Sequence, residues 1–197
     1  MTALRYLLLD IHGVLTDGKE RERLMEMMEK EYGMDKEIHN KLWKSHIKQL
    51  DIGTEKFEEY VHAINNVFNK NFTTETYISM FISNIKINHR ILNAIKNSKM
   101  EICIVSDTFK ELSDCYDGLF NGKFKSYRKF YSHNLHKIKS EGAFEEVLNL
   151  INAKAEECLL IDDNMENIRA AEKRNISGVL ASPETQEEIL YQITGTE

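Results

Sequence analysis

The chain has 197 residues, of which 42% are hydrophobic and 29% are charged, and its formal net charge is −6. This length is enough for one sizeable domain, or for one domain with a smaller insertion, and the composition is that of an ordinary globular protein. The acidic balance argues against a surface that binds nucleic acid or anionic membranes nonspecifically. No apolar stretch is long enough for a membrane span or a signal peptide, so we expect a cytoplasmic protein.

The first predicted element is a short buried strand. The apolar run Tyr6 to Leu9 leads directly into Asp10, and Gly13 follows as a residue that allows a tight turn. A strand that is apolar throughout is typical of a parallel sheet covered on both faces. Asp10 is then placed at the carboxyl edge of the sheet, where open α/β folds bind their ligands.

Four amphipathic helices are predicted next, in residues 16–86, and we call this segment the helical region. Gly18 to Tyr32 has helical spacing of its apolar residues, and Asp35, Thr54 and either Thr73 or Thr74 are the predicted caps of the following three helices. Because no strand separates these helices, the helical region is predicted to form a small subdomain of its own.

After the helical region, predicted strands and helices alternate, which indicates parallel strand pairing and right-handed crossovers. Pro183, the only proline, is predicted to begin a terminal helix. The predicted strands are 101–107, 129–132, 157–163 and 177–181, and the predicted helices are 91–99, 109–117, 140–151 and 165–174.

Polar side chains end three of the apolar strands. These are Asp10, the pair Ser106 and Asp107, and the pair Asp162 and Asp163. If the strands are neighbours, the carboxylates meet in one crevice and repel one another unless a cation lies between them. Mg²⁺ suits such oxygen ligands and often shares a substrate phosphate. A free carboxylate can attack phosphorus, and a lysine would balance the charge. Lys139 is the best candidate for that lysine, with Lys137 as the alternative.

Four ordered motifs resemble those of the haloacid dehalogenase (HAD) superfamily. The first, Asp-x-Asp-Gly-x-Leu, is similar to Asp10-Ile11-His12-Gly13-Val14-Leu15 except at His12. The second is the apolar strand that ends at Ser106, and the third is Lys139 after the strand-end serine Ser132. The fourth is the acidic pair of Asp162 and Asp163. The resemblance implies a Rossmann-like α/β core in residues 1–15 and 87–197, with an inserted helical cap of the C1 type in residues 16–86.

Residue roles follow from this resemblance as expectations. Asp10 would be the nucleophile and a Mg²⁺ ligand, together with Asp162, Asp163 and the backbone carbonyl of His12. Ser106 and Lys139 would bind the transferring phosphoryl group. Asp107 is included as a possible substrate contact, although many relatives have asparagine there. The implied protein is a Mg²⁺-dependent phosphatase for a small phosphorylated substrate, monomeric or homodimeric, without a nucleic-acid or membrane partner.

His12 is the main departure from the family pattern, because phosphatases of the family use an aspartate there as general acid and base. Histidine performs acid–base chemistry near neutral pH, but losing a general acid typically costs about 10²–10⁴ in rate. One alternative is therefore a catalytically weakened relative that binds a phosphorylated ligand or a protein. A second is a haloacid dehalogenase, which the retained acidic pair disfavours. His133 and His136 are spaced like half a metal site but are expected to be surface residues.

Overall fold

The computed structural model describes residues 3–195. Within these residues the chain forms a parallel sheet of five strands in the order β3-β2-β1-β4-β5. The predicted α/β architecture with a parallel sheet is therefore confirmed. The strands are β1 Tyr6–Leu9, β2 Glu101–Ser106, β3 Arg128–Tyr131, β4 Cys158–Asp162 and β5 Ser177–Leu180.

The α-helices lie in the helical region, in the crossovers between strands and after β5. Four of them form the helical region: α1 Glu20–Tyr32, α2 Lys36–Asp51, α3 Phe57–Phe68 and α4 Thr74–Ser83. The others are α5 His89–Ala94, α6 Lys110–Ser113, α7 Tyr116–Leu119, α8 Ser132–Leu135, α9 Ala143–Ile151, α10 Met165–Glu172 and α11 Gln186–Thr194.

Strand β1 lies at the centre of the sheet, between β2 and β4. Leu8 is in register with Cys103 of β2 on one side and with Leu160 of β4 on the other. Because all three strands run in the same direction, their carboxyl ends meet at one edge. The residues that follow β1, β2 and β4 are thus brought together although they are far apart in sequence.

Alternation along β1 divides the core between the two faces of the sheet. Leu7 and Leu9 belong to the cluster that also contains the buried aromatic residues of the helical region, such as Phe57 and Phe81. Leu8 faces the opposite way and packs with residues of α9, among them Phe144. Leu92 of α5 and Ile189 of α11 belong to the same cluster as Leu7 and Leu9, so the helical region shares one continuous core with this side of the sheet.

The two ends of the helical region lie side by side, since Thr16 and Ile87 form an antiparallel bridge. Two of its predicted caps are present: Asp35 accepts hydrogen bonds from the backbone N–H groups of Glu37 and Ile38, and Thr73 accepts one from Thr76. The division of the chain into a core and a cap of residues 16–86 stays a prediction.

Several predicted helix boundaries are wrong. Thr54 does not cap α3, because its backbone N–H donates to Gln49 at the end of α2. Pro183 lies within a turn in which the Ser182 backbone N–H donates to Thr185 Oγ1 at 2.9 Å, and α11 begins only at Gln186. The predicted helix 109–117 is two short helices, α6 and α7, and the predicted helices 91–99 and 140–151 are shorter, at His89–Ala94 and Ala143–Ile151.

Candidate active site

Three carboxylates meet at the carboxyl edge of the sheet. Asp10, Asp162 and Asp163 each offer an oxygen, and these oxygens lie within 4.8 Å of one another. Asp10 and Asp162 are buried, whereas Asp163 is exposed. Like charges at this separation are stable only when a positive charge lies close to them. The edge therefore has the donor set of a hard divalent cation, which prefers carboxylate oxygens.

Lys139 supplies one positive charge to this cluster. Its side chain is buried, with Nζ 2.5 Å from Asp162 Oδ2 and 3.0 Å from Asp10 Oδ2. Burial disfavours the ammonium, but the charges of Asp10 and Asp162 outweigh it and raise the pKa of Lys139. The alternative, Lys137, is exposed and is not paired with either acid among the described residues. The predicted preference for Lys139 agrees with this placement.

Asp107 is close to the cluster but holds the backbone of the lysine loop. Its Oδ1 accepts a hydrogen bond from the Lys139 backbone N–H at 3.0 Å. Burial is the main reason that the pKa of Asp107 is raised to about 6. This contact fixes where the lysine enters the crevice.

Asp162 is held in place from the start of α10. The Asn164 backbone N–H donates to its Oδ1 at 2.9 Å, and Asn167 Nδ2 donates to both carboxylate oxygens at 3.1 and 3.2 Å. Burial raises the pKa of Asp162 despite Lys139, and burial together with Asp10 raises that of Asp163 to about 6. The crevice is thus rich in negative charge that Lys139 only partly offsets.

Gly13 allows the chain to turn close to the side chain of Asp163. Its φ is +76°, a left-handed conformation that favours glycine. A Cβ at this position would lie 2.1 Å from Asp163 Oδ2. The glycine after Asp10 is therefore required both by its backbone conformation and by the close approach of the third carboxylate.

The hydroxyl of Ser106 has no hydrogen-bond partner among residues 3–195, although it is buried. Leaving a buried hydroxyl unpaired is costly, and native proteins rarely do so without a reason. Ser106 ends β2, the strand next to β1, and so lies beside the carboxylate cluster. An oxygen of a bound phosphoryl group would satisfy this hydroxyl, so the residues present fit both a cation and a phosphate.

The His12 side chain is fixed at both ring nitrogens. Nδ1 bonds to Glu20 Oε1, and Nε2 lies 2.9 Å from the hydroxyl of Tyr116, which in turn lies 2.9 Å from Thr108 Oγ1. Burial opposes the charged imidazole, but the hydrogen bond and charge of Glu20 prevail, so the pKa of His12 is raised and that of Glu20 is lowered. Glu20 belongs to α1, so the helical region contributes directly to the site.

Glu20, Tyr116 and Thr108 were not predicted as site residues. No local motif marks them, because each reaches His12 from a different element. Another expectation is wrong: His133 is buried, and its Nδ1 bonds to the Thr108 carbonyl at 2.9 Å, whereas His136 is exposed as predicted.

Comparisons with known proteins place the chain by its fold. Neither the scan against protein-family models nor the search of curated proteins found a match. Among solved structures, a HAD family enzyme from Bacteroides thetaiotaomicron in complex with magnesium and inorganic phosphate is 20% identical, with a TM-score of 0.78 over 94% of this chain and 99% of that one.

Two further structures extend the comparison. A protein from Porphyromonas gingivalis described as a predicted HAD-like family hydrolase is 17% identical, with a TM-score of 0.72 over 97% of this chain and 98% of that one. The L-2-haloacid dehalogenase of Xanthobacter autotrophicus is 11% identical, with a TM-score of 0.67 over 98% and 84%.

Within residues 3–195, no helix combines the length and apolar character that a bilayer crossing requires. The sheet order, the crossover helices and these structural matches agree with the fold that the four motifs predict. The chain has the fold of the HAD superfamily.

Proposed function

We propose that this chain is a Mg²⁺-dependent phosphohydrolase that acts on a small phosphorylated metabolite through an aspartyl-phosphate on Asp10. The observation that carries the proposal is the meeting of three carboxylates, a buried lysine and an unpaired buried serine hydroxyl at one sheet edge. The magnesium and phosphate of the Bacteroides thetaiotaomicron structures, which share this fold, support the same chemistry.

Asp10, Asp162, Asp163 and the backbone carbonyl of His12 are the groups that would hold Mg²⁺. When bound, the ion would offset the carboxylate charge and polarise the phosphoryl oxygens. The remaining chemistry belongs to the side chains of the chain itself.

Asp10 is the proposed nucleophile. A carboxylate oxygen of Asp10 forms a bond to phosphorus while the bond from phosphorus to the leaving oxygen breaks, and that oxygen takes the electron pair. Water then hydrolyses the acyl phosphate and returns the carboxylate. Lys139 pairs with Asp10 and faces the phosphoryl charge, and the Ser106 hydroxyl donates to a phosphoryl oxygen. Asp107 contributes by fixing the backbone of Lys139.

His12 is the proposed donor of the proton that the leaving oxygen needs. Glu20 accepts a hydrogen bond from its Nδ1, which fixes the ring and favours the imidazolium. Proton transfer by a positioned side chain typically contributes about 10²–10⁴ in rate. Glu20 is then a positioning residue that acts through His12.

The first test is turnover of an aryl phosphate and of a panel of phosphorylated metabolites with Mg²⁺. We expect activity in the native chain, none with Asp10→Asn, and none when a chelator removes the metal. Asp114→Asn, which changes an exposed acid outside the site, is the matched control and should retain activity. Activity that persists in Asp10→Asn would reject the covalent mechanism.

The second test compares Glu20→Gln on substrates with good and poor leaving groups. A poor alkoxide leaving group needs a proton, so kcat for an alkyl phosphate should fall by about 10- to 100-fold, while kcat for an aryl phosphate changes little. Glu31→Gln, an exposed change on the same helix, is the control. An equal loss on both substrates would mean that Glu20 supports only the structure.

A binding role is the second candidate, and the same His12 contacts favour it. Both ring nitrogens are already bonded to protein groups, so the proton donor must leave Tyr116 before it can serve a substrate. Activity that is absent in the native chain and present only in His12→Asp would favour a protein that binds a phosphorylated ligand without turning it over.

Carbon–halogen hydrolysis is the third candidate, favoured by the similarity to the Xanthobacter autotrophicus dehalogenase. The carboxylate pair of Asp162 and Asp163 argues against it, since attack on carbon needs no metal ligands there. Halide release from a 2-haloacid in the presence of a chelator would favour carbon–halogen hydrolysis over phosphoester hydrolysis.

A further inference from the structure

A cavity of about 230 Å³ lies between the helical region and the sheet edge. His12, Asp107 and Thr108 form its side towards the carboxylate cluster, and residues of α1, α2 and α4 form the opposite side. His12, the proposed proton donor to the leaving oxygen, lines this cavity, so it is the space that the leaving group of a phosphoester would occupy. Its small volume suits a group of only a few heavy atoms.

Asp51, the last residue of α2, points a carboxyl into this cavity without a partner. It makes no hydrogen bond and no ion pair with any residue of the described range 3–195, and the residue is half-buried. Burial, followed by the charge of Asp107, raises the pKa of Asp51 well above its usual value. A free carboxyl that faces another acid requires a positive or hydrogen-donating group on its open side.

The charges around the cavity are predominantly negative. Glu20, Asp51 and Asp107 line it, against Arg21 and the imidazole of His12. Glu20 is paired with His12, and Lys139, which lies outside the lining, is already paired with Asp10 and Asp162. Within the lining, Asp51 and Asp107 are therefore opposed by one further cation, Arg21. Arg21 lacks an ion-pair partner within residues 3–195 and does not neutralise both acids. This balance favours a cationic occupant over a neutral polyol or an anion.

Aromatic rings line the same cavity. Trp43 stacks on Phe81 at 6.0 Å between ring centroids, and Trp43 also meets Phe109 edge to face at 6.2 Å. Aromatic faces attract organic cations, most strongly where water is excluded. An ammonium that pairs with Asp51 would therefore also find ring faces at its sides.

We infer that the cavity receives a leaving group that carries an ammonium, and that Asp51 is the residue which selects it. The substrate class is a short aminoalkyl phosphate: its phosphoryl group meets Asp10 at the sheet edge, and its ammonium meets Asp51 between the aromatic rings. This inference rests on the proposed phosphohydrolase function and names the substrate class of the same site.

The test compares two isosteric substrates, 2-aminoethyl phosphate and propyl phosphate, with glycerol phosphate as the polyol probe. For the native chain, kcat/KM should be about 10- to 100-fold higher for the aminoalkyl ester, as expected for one hydrogen bond to a charged group. Asp51→Asn should reduce this ratio by about the same factor, mainly through KM. Glu59→Gln, an exposed acid-to-amide change on α3, should leave the ratio unchanged.

A measurement on the native chain covers the case in which Asp51→Asn does not fold. Ethanolamine should inhibit turnover of an aryl phosphate at concentrations where 1-propanol has no effect. Absence of this difference would overturn the inference.

The comparison of substrates can also overturn the inference about Asp51. Selection by Asp51 would be overturned by any of three results: equal turnover of the two isosteres, a preference for glycerol phosphate, or an equal loss on every substrate in Asp51→Asn. In each case, hydrolysis of the aryl phosphate by the native chain would show that the phosphohydrolase itself is active. If the aryl phosphate is not hydrolysed either, the proposed function fails and the inference fails with it.

Discussion

Two buried polar clusters of this molecule differ in kind. At the sheet edge, Lys139 lies between Asp10 and Asp162, so this cluster is built from ion pairs. In the helical region, His39 Nε2 lies 3.1 Å from the Tyr60 hydroxyl and 2.6 Å from that of Tyr77, and the two hydroxyls are 3.0 Å apart. This second cluster is neutral.

The difference separates a site from a packing element. Burying three charges is costly unless they remain paired, and a protein keeps such a group where the charges are used. The neutral trio buries no charge, although His39 Nδ1 has no hydrogen-bond partner among residues 3–195, and it positions large rings in a core. Changing the net charge of each cluster is the most direct way to test this distinction.

The largest expected effect comes from Lys139→Met. This variant leaves two carboxylates buried without their cation, and the free energy of unfolding should fall by about 3–5 kcal/mol in the presence of a chelator. Urea denaturation measures this loss. Lys137→Met changes an exposed lysine two residues away and should be nearly silent.

The Lys139→Met variant also tests whether the carboxylates bind Mg²⁺. If the carboxylates hold Mg²⁺, millimolar Mg²⁺ should raise the free energy of unfolding of Lys139→Met more than that of the native chain, because a ligand that binds the folded state stabilises it. The absence of stabilisation by Mg²⁺ in both proteins would contradict a metal site at these carboxylates.

The neutral cluster should respond to pH. Burial, with a smaller contribution from the charge of Arg21, lowers the pKa of His39 from 6.5 to about 4. Below pH 6.5 the unfolded chain takes up a proton that the folded chain does not accept until about pH 4. This group's contribution to stability is therefore complete above pH 6.5 and declines by about 3 kcal/mol as the pH falls to 4.

His39→Phe isolates this effect from the titration of the carboxylates. The two tyrosine hydroxyls can still bond to each other, and the variant should lose stability less steeply than the native chain between pH 6.5 and 4.5 in urea denaturation. His62→Ala, which removes an exposed histidine of α3, should keep the native slope. Parallel curves for His39→Phe and the native chain would show that folding does not lower the pKa of His39.

The smallest effect on stability is expected at an ion pair between α2 of the helical region and the loop before α9. Lys48 Nζ lies 2.7 Å from Glu141 Oε1, and both side chains are about half exposed. Exposed ion pairs contribute about 0–1 kcal/mol, so Lys48→Ala should change the free energy of unfolding by less than 1 kcal/mol at moderate salt. A larger loss would mean that this pair fixes the position of the helical region.

The predictable part of the candidate site consists of residues at the ends of buried strands. Asp10, Ser106 and Asp162 could be assigned because an apolar run followed by a polar residue indicates where a strand ends, and parallel pairing brings such ends together. Lys139 was harder, because Lys137 lies in the same loop as an alternative, and the burial of Lys139 between two acids distinguishes the two lysines. The helix starts predicted at Thr54 and Pro183 were wrong because both residues lie in turns that precede the helices.

The alternation of strands and helices and the acids at the sheet edge could be predicted from the sequence alone, because apolar periodicity and strand-end polarity are local signals. The HAD fold was predicted from the resemblance of the four motifs. The contacts of His12 with Glu20 and Tyr116, the unpaired hydroxyl of Ser106 and the free carboxyl of Asp51 were decided only by the tertiary structure. Each depends on whether side chains from elements that are distant in sequence lie within contact distance of one another. Residue spacing along the chain does not determine such distances.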